Sequence, residues 1–247
     1  MSRYLGGAVQ WDPQQYDRYA DERGRPFSDL VRRIGATDPA SVLDAGCGSG
    51  ELTVTLRLRW PDARVRGVDS SAEMIAARRS DSGVELTVGR AQDISARGVD
   101  VFVSNAALQW VPEHPDLLPR WAEELEPDGW LAFQVPANFD APSHHLMREV
   151  AAAPRWRGRL DGVLRAAPVE SPAAYLDLLA GLGMSVDAWQ TDYLHVLPGD
   201  DAVLAWVRGT GLRPVLAVLD DVATAEFEAE YGELLRRAYP QQPYGTV

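Results

Sequence analysis

The sequence contains no lysine, so all 24 of its basic residues are arginine. This absence excludes enzymes that form a Schiff base on lysine and nucleotide-binding proteins whose phosphate loop requires one. Any anion must therefore be bound by guanidinium or backbone N–H groups. The 36 Asp and Glu residues leave a net charge of −12, which repels nucleic acid and anionic membrane surfaces. We expect no nucleic-acid partner.

Cysteine is almost absent as well. With Cys47 as its one thiol, the chain can form neither an internal disulfide nor a zinc site of clustered thiolates, which fits a reducing compartment. The sequence also lacks an apolar run of about 18 residues, and its first residues lack the apolar centre of a signal peptide. We therefore expect a soluble cytoplasmic protein without a membrane partner.

The 247 residues, 46% of them hydrophobic, are enough for one large or two small domains. Short β-rich runs alternate with helical stretches across residues 40–136, which predicts an α/β fold with a mostly parallel sheet and helices on both faces. The runs are 41–45, 64–69, 84–88, 99–103 and 130–135. Leu52 to Trp60 alternates as a strand would, but a crossover is needed there, so we predict a helix.

Helical patterns flank this core on both sides. Residues 1–38 form a predicted N-terminal helical segment, with two candidate helix starts at Asp12-Pro13 and Arg25-Pro26. Its apolar residues recur at helical spacing: Phe27, Leu30, Val31 and Ile34. The segments 141–184 and 198–243 are predicted to form a helical cap over the carboxyl edge of the sheet, where ligands bind in open α/β folds. Residues 185–197 are a candidate sixth strand.

The sharpest motif is a strand that runs into three alternate glycines and then a helix: Val42-Leu-Asp44-Ala-Gly46-Cys-Gly48-Ser-Gly50. Glycine permits a tight turn and lets the backbone approach a ligand closely. The spacing differs from the G-x-G-x-x-G of dinucleotide folds, which disfavours a nicotinamide oxidoreductase.

The second predicted strand ends in Asp69, where a carboxylate can accept both hydroxyl protons of a ribose. Ser70-Ser71-Ala-Glu-Met74 then opens the next helix with a capping pattern. Two interpretations of Met74 stay open: its thioether packs on an adenine, or it fills the core.

These motifs resemble the class I S-adenosylmethionine-dependent methyltransferases, in the small-molecule branch with D-x-G-C-G-x-G after strand one. Further segments resemble the trans-aconitate 2-methyltransferase family, over nearly the whole chain. They are Trp11-Asp-Pro with Tyr16, Asp21 to Pro26, Asn105 to His114, His144 to Arg148, Thr191 to His195 and Gly209 to Pro214. The resemblance implies a Rossmann-like methyltransferase domain over 1–247, with 40–136 as the cofactor-binding core.

The same resemblance implies a reaction and a set of site residues. The family forms a monomethyl ester of trans-aconitate with S-adenosylmethionine and no metal, releasing S-adenosylhomocysteine. The methionine part of the cofactor would contact Asp44, Gly46, Gly48 and Gly50. The ribose and adenine would contact Asp69, Ser70 and Met74. Arg23 would meet the cofactor's carboxylate, and Asn105 would lie beside the sulfonium and the substrate as the implied catalytic residue.

The chain departs from the family pattern in two places. After strand three the family commonly has Gly-Asp, with the acid near the adenine amine, whereas this chain has Gly89-Arg90-Ala91-Gln92-Asp93. Either Asp93 substitutes through a shift of the loop, or the adenine relies on backbone contacts at Ala91. The family also continues into a final strand, whereas this chain stops at Val247, so we expect a missing last strand or a shortened sequence.

A tricarboxylate that enters a protein of net charge −12 needs local positive charge. The predicted capping segments contain Arg148, Arg155, Arg157, Arg159, Arg165, Arg208 and Arg213. Most of these are expected on the surface. Arg213 is the candidate for the substrate carboxylate, because Pro214 and the preceding glycines fix its loop.

Other residues are candidates for the substrate pocket. Tyr19 and Trp110 would wall the pocket or pack in the core. His145, like His144 and His195, would hydrogen-bond the substrate or serve a structural role. A carboxylate substrate is already ionised at neutral pH, so the reaction needs no general base. Two alternatives stay open: a different small-molecule acceptor, and a non-catalytic sensor of S-adenosylmethionine. The sequence does not specify the oligomeric state.

Overall fold

The computed structural model describes residues 20–77, 83–165 and 167–247, with side chains from Gly24 onward in the first range. The chain divides into two compact units. We call Ala20–Pro136 with Pro168–Gln190 the sheet unit, and Ala137–Ala167 with Thr191–Val247 the helical unit. Each unit is described by itself.

The sheet unit contains five strands that all pair in parallel, in the order β3-β2-β1-β4-β5. They are β1 Ser41–Ala45, β2 Arg64–Asp69, β3 Glu85–Val88, β4 Val101–Asn105 and β5 Trp130–Gln134. The five predicted strands are therefore confirmed, with small differences at their ends. The described helices are α1 Ala20–Arg32, α2 Glu51–Arg59, α3 Ala72–Ala76, α4 His114–Glu124, α5 Pro142–Ala152, α6 Pro154–Leu160, α7 Pro172–Ala180, α8 Ala202–Arg208, α9 Arg213–Leu216 and α10 Asp221–Ala238.

Helices cover both faces of the sheet, as a parallel sheet requires. On one face, α1 and α2 pack against β1, β2, β4 and β5. Phe27, Leu30 and Val31 of α1 are buried in that core, together with Ile34 just after the helix. On the other face, α4 and α7 pack on side chains such as Phe102 and Leu43. The fold is thus the predicted Rossmann-like α/β arrangement.

Helix α1 does not begin at Arg25-Pro26, one of the two candidate starts, and the other, Asp12-Pro13, lies outside the described residues. The helix runs from Ala20 to Arg32, with Pro26 in its interior. A proline there removes one backbone N–H donor, but the buried face formed by Phe27, Leu30 and Val31 holds the helix on the sheet.

Helix α2 confirms the prediction that Leu52 to Trp60 form a crossover helix, although their apolar residues alternate as in a strand. Leu56 is fully buried against the sheet, whereas Leu58 is 77% exposed. The alternation therefore does not mark a half-buried strand, because one of the apolar residues it contains faces solvent.

The predicted sixth strand at 185–197 is wrong. This segment is irregular, apart from one isolated bridge between Leu197 and Thr246. Its first part is held by side-chain packing instead: Val186 and Trp189 join the apolar clusters of the sheet unit, and the Arg33 guanidinium lies 4.0 Å from the Trp189 ring centroid.

The helical unit has an apolar core of its own, formed by α5, α6, α8, α9 and α10. Trp156 packs edge-on against Phe227, and the Tyr231 hydroxyl donates to the Ser143 carbonyl at 2.7 Å. The predicted cap includes the segment 141–184, whereas α7 within this segment packs with the sheet unit. Among the described helices, none combines the length and apolar character needed to cross a membrane.

Candidate functional site

The glycine loop joins β1 to α2 at the carboxyl edge of the sheet. Gly46, Gly48 and Gly50 have φ angles of 84°, 57° and 84°, in the left-handed region that favours glycine. The loop is fixed to the neighbouring strand, because the Gly46 N–H donates to the Val68 carbonyl at 2.7 Å. The predicted glycine turn is therefore a defined structure, held by hydrogen bonds from its own backbone N–H groups.

Glycine is also required here because other groups come close. A Cβ atom at Gly46 would lie 2.1 Å from the Cβ of Ala107, and one at Gly50 would lie 2.6 Å from the Cδ1 of Leu86. Ala107 follows β4, so the loops after β1 and β4 contact each other at this edge. The sequence did not identify this contact.

Asp69 connects the glycine loop to the segment after β2. Its Oδ2 accepts a hydrogen bond from the Gly48 N–H at 2.8 Å, and its Oδ1 accepts one from the Ser71 N–H at 2.8 Å. A carboxylate offers about four acceptor positions, so capacity remains for the hydroxyls of a ribose. Asp69 thus both shapes the loop and presents unused lone pairs beside it.

The predicted capping pattern after Asp69 is confirmed. The Ser71 side chain accepts a hydrogen bond from the Met74 N–H at 3.1 Å and begins α3, whereas Ser70 is exposed. Met74 is only 3% exposed, and its Cε lies 3.2 Å from where a Cβ of Gly48 would be. Met74 therefore packs beneath the glycine loop, and its contact with an adenine stays a prediction.

Asp44 is buried directly below the loop, 2% exposed. The Thr53 hydroxyl on α2 donates to its Oδ2 at 2.6 Å. Burial raises the pKa of Asp44 to about 7, the Thr53 hydrogen bond opposes the rise, and the charge of Asp69 adds to it. Burial is also the main cause that raises the pKa of the Cys47 thiol, which leaves it a neutral packing residue.

Two amide side chains end β4 and β5 next to each other. Asn105 and Gln134 are register partners, and the Oδ1 of Asn105 and the Oε1 of Gln134 are buried without a hydrogen-bond partner among the described residues. Unpaired buried oxygens are costly and are good acceptors for a ligand donor. The sequence singled out Asn105 but missed Gln134. Its position as the last residue of the fifth strand is the sequence feature that could have identified Gln134.

The loop after β3 forms a short 3-10 turn over Ala91–Asp93. The Gly89 N–H donates to the Asp69 carbonyl at 2.9 Å, which holds the start of this loop near the ribose candidate. Ala91 is partly buried, and the Arg90 and Asp93 side chains are exposed. Both predicted ways of contacting an adenine, through Asp93 or through the backbone at Ala91, stay predictions.

The remaining predicted site residues lie in different parts of the chain. Tyr19 lies outside the described residues, as does the side chain of Arg23. Trp110 ends a short 3-10 turn in the sheet unit and is partly buried. His145 is exposed on α5, and Arg213 begins α9 and is partly buried, both in the helical unit. Their roles in substrate or cofactor binding stay predictions.

Several other arginines of the helical unit pair with acids on α10 or its N-cap, as surface charges do. The pairs are Arg155 with Glu226, Arg159 with Asp220 and Arg208 with Glu228. Nearby, burial and then the charge of Arg148 lower the pKa of His144 to about 4, so His144 is neutral at physiological pH.

Comparison with known proteins gives a consistent result. The profile of a family described as "Methyltransferase domain" matches residues 16–187. A protein named trans-aconitate 2-methyltransferase from Streptomyces avermitilis is 50% identical over 248 residues, covering 96% of this chain and 92% of that protein. One of the same name from Mycolicibacterium gilvum is 50% identical over 240 residues, covering 96% of this chain and 94% of that protein. The chain belongs to the trans-aconitate 2-methyltransferase family.

The family match extends over both units, because it covers 96% of this chain, whereas the domain profile ends at residue 187 in the sheet unit. The Streptomyces coelicolor member of the family is also 50% identical, over 97% of this chain and 83% of that protein. Among solved structures, a chain from the complex between the Haloferax volcanii Trm112 methyltransferase activator and a putative methyltransferase has a TM-score of 0.49 and 20% identity, over 80% of this chain and 89% of that chain.

Proposed function

We propose that this protein transfers the methyl group of S-adenosylmethionine to one carboxylate of trans-aconitate, giving a monomethyl ester and S-adenosylhomocysteine. The observation that carries the proposal is the 50% identity to trans-aconitate 2-methyltransferase of Streptomyces avermitilis over 96% of this chain. Sequence identity over 96% of this chain covers both the sheet unit and the helical unit. The helical unit contains most of the segments predicted to form the substrate-specific cap.

The residues at the carboxyl edge of the sheet fit S-adenosylmethionine. Gly46, Gly48 and Gly50 have no Cβ atoms that would keep a ligand away from the loop backbone, and Asp69 has lone pairs for ribose hydroxyls beside it. The buried oxygens of Asn105 and Gln134 are ready to accept from N–H donors. When bound, the cofactor supplies a methyl group on a positively charged sulfur, a chemistry that no side chain of this protein provides.

Asp44 supports a cationic ligand electrostatically. Among the described residues, the charged group that acts on this buried carboxylate is the acidic Asp69, which raises the pKa of Asp44. A positive ligand near the loop would favour the ionised form of Asp44. This side chain therefore contributes long-range attraction without needing to touch the reacting atoms.

The chain has little acid or base chemistry to perform. A carboxylate with a pKa of about 4 is ionised at neutral pH, so no side chain needs to remove a proton from the nucleophile. Asn105 is a neutral amide and acts by positioning. Correct placement of two reactants can supply up to about 7 to 11 kcal/mol in favourable cases, and exclusion of water strengthens the attraction between an anion and a cation.

The substrate belongs to the small carboxylates, and guanidinium groups are suited to bind it in a bidentate manner. Arg213 is proposed to bind a substrate carboxylate, with Tyr19, Trp110 and His145 as further contacts. Arg23 is proposed to bind the carboxylate of the cofactor. Neither nucleic acid nor a membrane is proposed as a partner, because the net charge is −12.

The test is a comparison of methyl acceptors with purified protein. We expect S-adenosylhomocysteine to form faster with trans-aconitate than with cis-aconitate, citrate or the trimethyl ester of trans-aconitate, which lacks an ionised oxygen. Equal rates with all acids would favour a broader carboxylate methyltransferase. Cofactor binding without turnover on any acid would favour the sensor alternative and contradict the proposal.

A further inference from the structure

We propose that Thr53 is a positioning residue for cofactor binding, because its buried hydroxyl holds the carboxylate of Asp44 beneath the glycine loop. This inference rests on the proposed function, since the loop is the part of the sheet unit proposed to hold S-adenosylmethionine. Thr53 does not need to touch the cofactor. It acts through Asp44.

The bond between the two side chains closes the loop at its base. Asp44 lies on β1 immediately before the loop, and Thr53 lies in the first turn of α2 immediately after it. Their oxygens are 2.6 Å apart, and the two residues are 2% and 0% exposed. The Gly48 N–H bond to Asp69 fixes the middle of the same loop from β2. The loop is therefore held at its base and at its centre by different carboxylates.

The hydroxyl of Thr53 differs from that of its neighbour on the same helix. Thr55 donates to the carbonyl of Leu52 at 2.6 Å, which is the local bond that helical threonines commonly form. Thr53 instead donates across the loop to a buried carboxylate. A hydrogen bond to a charged acceptor is stronger than one between neutral groups. If this bond is lost, the charged carboxylate stays buried without a donor, which is energetically costly.

The charges around Asp44 explain why the hydrogen bond from Thr53 matters. The titratable groups that interact with Asp44 are Asp69 at the end of β2 and the Cys47 thiol in the loop, and no arginine among the described residues contributes to its pKa. In the described part of the chain, the hydrogen bond from Thr53 is therefore the interaction that favours the ionised carboxylate. Without it, Asp44 takes up a proton at a higher pH, and the loop loses the negative charge that favours a cationic ligand.

The experiment compares Thr53→Val, which keeps the shape but removes the hydroxyl, with Thr53→Ser, which keeps the hydroxyl. Thr55→Val is the matched control on the exposed side of α2. Two quantities are measured for each: the melting temperature without ligand at about pH 5 and about pH 9, and the affinity for S-adenosylmethionine by calorimetry, without a methyl acceptor, as a function of pH. S-adenosylhomocysteine, which lacks the positive charge on sulfur, is the comparison ligand.

We expect Thr53→Val to lower the melting temperature more at about pH 9 than at about pH 5, because the lost bond is stronger to the ionised carboxylate. We expect the pH midpoint of S-adenosylmethionine affinity to move upward by about one unit, which is about tenfold weaker binding below that midpoint. Thr53→Ser should restore both, and Thr55→Val should change neither. Should Thr53→Val not fold, Thr53→Ala replaces it.

An equal loss of melting temperature at both pH values, with an unmoved affinity midpoint, would show that Thr53 only packs and would overturn the proposal. Failure of the proposed function would look different. In that case the wild-type protein itself would not bind S-adenosylhomocysteine, and the role of Thr53 in cofactor binding would fall with it.

Discussion

Gly46 and Ala107 lie so close together that a Cβ atom on Gly46 would be 2.1 Å from the Cβ of Ala107. This contact joins the loops after β1 and β4, so it couples the candidate cofactor loop to the segment that begins with Asn105. Substitution of Gly46 must move one of the two loops, because a backbone-near Cβ cannot rotate away.

Gly46→Ala is expected to weaken S-adenosylhomocysteine binding at least tenfold and to cost about 1 to 3 kcal/mol of stability, through strain at positive φ and overpacking. Calorimetry and thermal unfolding measure the two effects. Gly98→Ala is the matched control, since Gly98 has a φ of 70° but nothing within 4 Å of a new Cβ. If both variants behaved alike, backbone strain alone would explain the result. Ala107→Gly added to Gly46→Ala should recover part of the affinity.

Asp69→Asn is expected to reduce S-adenosylhomocysteine affinity by about 10- to 100-fold, because the amide has only one acceptor oxygen for two backbone N–H donors. The control is Asp100→Asn, since the Oδ2 of Asp100 likewise accepts from two backbone N–H groups, those of Ala40 and Ser41, each at 2.9 Å. Asp69→Asn should lose more stability than Asp100→Asn, because the two bonds to Asp100 share one oxygen that the amide retains. Only Asp69→Asn should lose affinity, and a similar affinity loss in both would argue against a ligand contact at Asp69.

The titration of Asp44 predicts how stability depends on pH. Its pKa is raised from 3.8 to about 7, so the folded state holds its proton more tightly than the unfolded state. The resulting stability is fully present below pH 3.8 and is lost as the pH rises toward 7, by an amount on the order of 4 kcal/mol. Urea unfolding at several pH values measures this slope.

Asp44→Asn is the variant that tests this assignment. It should flatten the fall in stability between about pH 4 and pH 7, because the amide does not titrate. A slope equal to that of the wild type would mean that another group titrates over this range.

Much of this fold follows from local patterns. The five strands and the crossover helix α2 were predictable because parallel strands are buried, β-rich runs that require connecting helices. The segment 185–197 misled the prediction because Val186 and Trp189 supply apolar spacing for packing against the sheet unit, not for pairing in a strand. Local pattern does not distinguish the two.

The candidate site was predictable only in part for a similar reason. The glycines and Asp69 form a contiguous motif, and the structure brings them together through the bond between Gly48 and Asp69. Thr53 contacts Asp44 on β1, and Gln134 lies beside Asn105 as its register partner on β4. Such pairings are set by packing and by strand order, which the spacing of residues does not specify.

Asn105→Leu is expected to lower kcat for methyl transfer at least tenfold while changing S-adenosylhomocysteine affinity less, because the amide is proposed to position the reacting groups and not to hold the whole cofactor. Steady-state kinetics and calorimetry separate the two effects. Gln134→Leu, which removes the adjacent unpaired oxygen, shows whether the two amides act together. A loss of affinity as large as the loss of kcat would contradict a positioning role for Asn105.

Arg213→Ala is expected to raise the KM for trans-aconitate at least tenfold and to leave S-adenosylhomocysteine affinity unchanged, since a charge-assisted bond to one substrate carboxylate is lost. Arg208→Ala is the comparison, because Arg208 is paired with Glu228 on the surface. Equal weakening of substrate and cofactor binding would rule out a selective substrate role for Arg213.

The most direct test of the central claim follows the methyl group itself. Purified protein is incubated with trans-aconitate and S-adenosylmethionine carrying a fully deuterated methyl group, and the organic acids are analysed by mass spectrometry before and after mild alkaline hydrolysis. The proposed reaction predicts a monomethyl trans-aconitate that retains all the deuterium and loses it as methanol on hydrolysis. Deuterium that is absent from the acid while the protein binds S-adenosylhomocysteine tightly would contradict methyl transfer to this substrate.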